Sequence, residues 1–146
     1  MARRVVAVAV SGVLMACATA RSKPDTEELK PTIEAFHQRA RWKDFRGAAD
    51  FIVPERRASY LKSRLKTDDE RDLFITDYEL EDAKVSADGT AEVVSKMTWY
   101  RLPSASAKTT VVTSIFVWRD GRWWLERQED GPFPELADVG RRDGGG

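Results

Sequence analysis

Apolar residues recur at helical spacing through the first half of the chain and at strand spacing through the second. Ile33, Phe36, His37 and Ala40 follow the i, i+3, i+4, i+7 pattern that gives a helix one buried face. They predict a first helix with Pro31 in its opening turn, where a missing N–H costs little. Phe45, Ala48, Ala49 and Ile52 repeat the pattern, and Asp44 stands where an N-cap accepts backbone N–H bonds. Pro54 fits the first turn of a third helix whose apolar positions are Ala58, Leu61 and Leu65. Asp68 or Asp69 is placed to cap a short turn before Leu73.

Beyond Leu73 the runs are β-rich, and two Asp-Gly pairs, Asp88-Gly89 and Asp120-Gly121, punctuate them. Each suits a two-residue hairpin turn, because the pair tolerates positive φ. That turn sets a register. It places Trp118 opposite Trp123 and Phe116 opposite Leu125 in one hairpin. In the other it places Tyr78 opposite Trp99, Leu80 opposite Met97 and Glu81 opposite Lys96. The third strand is apolar on both faces: Val111, Ile115 and Val117 point one way, Val112, Phe116 and Trp118 the other. A sheet with one wet face alternates apolar with polar. Ile115, Val117 and Trp124 therefore form a candidate contact face, unless Phe133 and Leu136 of the tail cover it.

Helices first and antiparallel hairpins afterwards predict an α+β fold, with N-terminal helices packed on a curved antiparallel sheet of about four strands. Trp42-Lys43-Asp44-Phe45-Arg46-Gly47-Ala48-Ala49 and Asp120-Gly121-Arg122-Trp123-Trp124-Leu125 resemble the helix junction and the final hairpin of the nuclear transport factor 2-like superfamily. Lys43 stands where that family often has Gly. The resemblance implies a cone-shaped domain, placed over residues 28–133; beyond it 134–146, ending in glycines, reads as a disordered tail. The resemblance also implies that the outer sheet face is a common place for dimer contacts.

The N-terminus carries a different signal. Arg3 and Arg4 precede an apolar run, and Leu14-Met15-Ala16 leads into Cys17, the only cysteine. This resembles a bacterial lipoprotein signal peptide over residues 1–16, with lipid attached at Cys17 and a tether over 17–27. The apolar run is too short to span a bilayer, which takes about 20 residues. The resemblance implies a cell-envelope protein held on a membrane by acyl chains. Ala18, not Asp, after the cysteine implies the outer membrane, facing the periplasm.

Charge and chemistry narrow the reading further. Lysines and arginines equal aspartates and glutamates at 24 each. Loss of Arg3 and Arg4 with the signal leaves the chain slightly acidic. No basic stripe is present, so a nucleic-acid partner is not expected. With one histidine and one cysteine, neither a transition-metal site nor a disulfide is expected, and no cofactor is implied. The mixed charges from Pro54 to Asp72 read as a solvated helix face.

His37, Tyr60, Tyr78, Trp99 and Trp118 are the candidate pocket residues; core packing is their plainer role. Enzymes of the resembled fold, such as steroid isomerases and scytalone dehydratase, work inside the cone with Asp, Tyr or His. Here Asp44 sits at a cap and Asp77 falls on the face opposite Tyr78, so no catalytic acid–base pair is identified. Two functions follow. One is a non-catalytic envelope lipoprotein that contacts a protein, either a second copy or another envelope component. The other is a small-molecule binder or enzyme that uses the cone cavity. A cone filled by Trp99, Tyr78 and Trp118 argues for the first; an open pocket with His37 beside a carboxylate argues for the second.

Overall fold

The computed structural model describes residues 23–137. The expected signal peptide, Cys17 and the start of the tether lie outside these residues. Four helices come first: α1 (Leu29–Arg41), α2 (Phe45–Ala49), α3 (Pro54–Lys66) and α4 (Asp69–Asp72). Four strands follow: β1 (Leu73–Val85), β2 (Thr90–Arg101), β3 (Ser104–Arg119) and β4 (Arg122–Glu129), and then a 3-10 turn, Pro134–Leu136. The strands form one antiparallel sheet in the order β1-β2-β3-β4. The fold is α+β, with helices on one side of a curved sheet. No helix among the described residues is long and apolar enough to cross a membrane.

α1 buries Leu29, Ile33, Phe36, His37 and Ala40, the face its periodicity predicts. It stops at Trp42 because Lys43 turns left-handed at φ 64°. That reversal lets the Lys43 and Asp44 N–H groups close back on Ala40 O and Arg39 O. The Asp44 carboxylate then caps α2, accepting from Gly47 N at 2.9 Å while Arg39 donates to it at 2.6 Å. α2 is one turn long, so Ile52 lies past its end. There Phe51–Val53 pairs with the β4 edge: Val53 N donates to Leu125 O, and Leu125 N donates to Phe51 O. The free edge of β4 is thereby covered along this stretch.

α3 begins at Pro54 as expected but presents a different face. Tyr60 and Arg64 are buried, whereas Ala58 is exposed and Leu65 is 82% exposed. Tyr60 sits edge-on to Phe45 and Phe133. Arg64 is drawn inward by two carboxylates, described below. The aromatic and the ion pairs outweigh Ala58 and Leu65 in setting the rotation of the helix, which keeps Leu61 packed against the core.

The Asp120-Gly121 turn has positive φ at both residues, 54° and 75°, and pairs Trp118 with Trp123 and Phe116 with Leu125 as expected. The Asp88-Gly89 hairpin departs from expectation. Only Gly89 is left-handed, Gly89 N donates to Ser86 O, and Ser86 N donates to Thr90 O. The loop is therefore three residues long, Ala87-Asp88-Gly89, the usual form with a glycine bulge. Two register shifts along β1 add to this offset. Tyr78 faces Met97, Leu80 faces Ser95, and Trp99 faces Ile75. Lys96 still reaches Glu81, at 3.0 Å.

The described residues include 134–137 of the segment that reads as a tail, and 138–146 lie outside them. Phe133 lies edge-on to Phe36 and Tyr60, and Leu136 is fully buried. Both belong to the core between helices and sheet, so they do not cover the outer sheet face. At the other terminus the Trp123 indole N–H donates to Asp25 O at 2.6 Å. Pro24 lies beside the Gly89 turn.

Candidate functional site

α1 carries Glu34, His37, Gln38 and Arg41 on successive turns of one face, and Trp42 follows at its end. With Tyr78 of β1 they line a cleft of about 250 Å³. Trp42 is 70% exposed at its edge. Arg41 crosses to β1, donating from Nη2 to Thr76 O at 2.8 Å.

His37 forms the inner part of this cleft and is buried. Its ring stacks on Tyr78, with centroids 3.9 Å apart and planes 15° apart. Nδ1 lies 2.7 Å from Ile33 O, which can only accept, so Nδ1 carries the proton. Nε2 is then an acceptor, and the Gln128 amide donates to it at 3.3 Å. The same amide nitrogen donates to Ser114 Oγ at 3.1 Å. Burial pushes the His37 pKa down from 6.5 to about 4, opposed in part by the bond to Ile33. At neutral pH the imidazole is uncharged and both of its nitrogens are engaged. Neither partner is a carboxylate, so the arrangement orients the ring but supplies no acid–base pair. Burial also raises the Tyr78 phenol to about 12.

The five candidate pocket residues do not converge on one cavity. His37 and Tyr78 meet in the cleft. Tyr60 is fully buried among Phe36, Phe45 and Phe133. Trp118 lies edge-on to Trp123 near the β3–β4 turn, 5.4 Å between centroids. Trp99 sits in the β2 ladder between Ile75 and Lys108, packed against the core.

A second polar centre lies in the stretch that reads as solvated. Arg64 is buried between the rings of Tyr60 and Phe133, at 4.9 and 4.5 Å. It pairs with Asp69 at 2.9 Å and with Glu135 at 2.7 Å. Arg101 of β2 pairs with Asp69 from the other side, and Thr67 Oγ1 donates to Asp69 at 2.7 Å. Arg101 also donates to Pro132 O at 2.7 Å. Two cations and two carboxylates balance, and together they fasten the tail to α3 and to the end of β2. The signal in the sequence is faint: Tyr60 and Arg64 are one helical turn apart, on the stripe that is buried. Burial raises the Glu135 carboxyl, while Arg64 pulls it back.

On the outer sheet face Val111 is 52% exposed, and Ile115, Val117 and Trp124 are half-buried. Val117 and Trp124 are direct cross-strand partners. The Trp124 indole donates to Arg119 O at 2.8 Å, and the Arg122 guanidinium lies 4.0 Å from its ring. The three apolar candidates thus share one face, with an arginine at its margin.

No protein-family model matches this sequence, and no curated protein matches it. Solved structures do. A SEC-C motif containing protein from Rhodopseudomonas palustris superposes with a TM-score of 0.56 at 15% identity, over 67% of this chain and 74% of that one. An NTF-2 like protein of unknown function from Shewanella oneidensis superposes with a TM-score of 0.52 at 17% identity, over 70% of this chain and 95% of that one. At these identities the likeness is one of fold.

Proposed function

We propose that this chain, which has the NTF-2 like fold, is a lipid-anchored protein of the bacterial envelope that works by contact and not by catalysis. The observation that carries this reading is the use of the interior. Aromatic and aliphatic side chains fill the space between helices and sheet, and the single histidine is held neutral with both nitrogens bonded. The outer face around Ile115, Val117 and Trp124 is open to a partner among the described residues, since Phe133 and Leu136 lie in the core and do not cover it. The lipobox-like Leu14-Met15-Ala16-Cys17 supports the anchor.

The test compares the chain from Ala18 onward with its Val117→Lys variant by sedimentation and circular dichroism. A charge in a buried contact is costly, whereas on an open surface it is tolerated. A wild-type dimer that becomes a folded monomer is the expected result. A wild type that stays monomeric at high concentration rejects self-association through this face. For the anchor, a fatty-acid label that enters the wild type and the Cys17→Ser variant equally would refute it.

A second reading rests on the cleft beside Trp42. A small polar ligand seated there would contact Glu34, Gln38 and Trp42. Changes in the resonances of these side chains on titration with such a ligand would identify it.

A further inference from the structure

We propose that the anchor fixes which end of the domain meets the membrane: the end carrying the Ala87–Gly89 and Asp120–Gly121 turns lies at the lipid surface, and the β2–β3 turn points away. The proposal rests on the lipidation of Cys17.

β2 and β3 run between these two ends. The β1–β2 and β3–β4 turns lie together, because Gly89 O accepts from Trp118 N at 2.7 Å and Thr90 faces Val117. The β2–β3 turn at Leu102-Pro103 is at the far end of the same strands. The N-terminal segment is pinned to the first end by two contacts. Asp25 O accepts from the Trp123 indole at 2.6 Å, and Pro24 lies beside Gly89, where an added Cβ would be 3.7 Å from Pro24 Cγ. From Cys17 to Lys23 a chain spans at most about 20 Å, even fully extended. β2, with 12 residues, is about 35 Å long. The tether is therefore shorter than the domain. The pinned end stays within its reach of the lipid, and an inverted domain with the β2–β3 turn against the membrane would demand a tether longer than the one present.

α1 runs the same way. It starts at Leu29, just after the pinned segment, and ends at Arg41, which bonds Thr76 near the start of β1. Trp42 and its end of the cleft therefore face away from the membrane. A second copy packed on the outer face keeps both anchors on one membrane only if the two-fold axis runs roughly along the strands.

The experiment uses the full, lipidated chain in phosphatidylcholine vesicles that carry a headgroup-linked quencher. A fluorescent label is placed through Ala87→Cys in one sample and Ala105→Cys in another; both positions are exposed and lie at opposite ends. The label at position 87 should be quenched several-fold more than the label at 105. In a Trp123→Phe background the pin to Asp25 is lost, so the contrast should narrow. The mass of the purified protein reports on Cys17. A mass without acyl groups refutes the anchor, and the orientation falls with it. An acylated protein with equal or stronger quenching at 105 refutes the orientation alone.

Discussion

His37 and Tyr78 stack face to face at 3.9 Å, and this contact joins the first helix to the first strand. The stacked pair closes the inner end of the cleft. Because Ile33 and Gln128 hold the two imidazole nitrogens, the ring cannot rotate without losing a buried hydrogen bond.

The neutral His37 makes stability depend on pH. Its native pKa of about 4 lies below the usual 6.5, so the unfolded chain binds this proton more tightly. The contribution is complete above pH 6.5 and is lost as the pH falls toward 4, amounting to about 3 kcal/mol over that window. Urea midpoints measured from pH 7.5 to pH 4 should fall for the wild type. The His37→Gln variant should lose the part of the slope between pH 6.5 and 4. An unchanged slope would show that the ring is not protected from protonation.

Gly47 leaves room for the Asp44 cap. A Cβ built there collides with Asp44 Oδ2, the oxygen that Arg39 holds. Gly47→Ala should displace the cap and lower the unfolding free energy by about 1 kcal/mol or more, although alanine is the better helix former. A variant of equal or greater stability in urea would mean that Asp44 moves aside freely.

Asp69 separates two guanidinium groups. Asp69→Ala should cost roughly 3–5 kcal/mol, as removal of one member of a buried ion pair does. A chemical denaturation series settles the size. A change near zero would mean that water enters this cluster and solvates Arg64.

The tryptophans should differ. Trp123 is buried, and Trp123→Ala should cost roughly 3–5 kcal/mol, as large core truncations do. Trp99 is half-buried at the far end of the sheet, so Trp99→Ala should cost clearly less. Equal shifts in denaturation midpoint would contradict the difference in burial.

The helices, the Asp44 cap and the second hairpin were legible because each follows from local spacing. The rest depended on distant partners or on single inserted residues. Asp-Gly is compatible with both a two-residue and a three-residue loop, so the first hairpin register depends on the left-handed state of Gly89 and on the two shifts along β1, neither of which local spacing reveals. The face of α3 was misread because Arg64 counts as polar until Asp69 and the remote Glu135 neutralise it. His37 stood out as the only histidine. Gln128 and Ser114, which complete its surroundings, are neutral residues on other strands and carry no pattern of their own. Lys43 is a case where the sequence resemblance had a physical basis. The position that often holds Gly is left-handed here. Lys43 occupies it while its ammonium bonds Glu70 O and lies 3.6 Å over the Phe74 ring.

The meander order of the sheet has a kinetic consequence. Every strand pairs with its neighbour in sequence, so the ladder can grow from two tight turns by closing short loops, which is rapid. The contacts that complete the domain are of another kind. Trp123 to Asp25 and Arg56 to Leu136 join residues far apart in the chain, and each must close a long loop before it contributes. The sheet is therefore expected to assemble early, with the docking of the N-terminal segment and the tail as the late, slower steps.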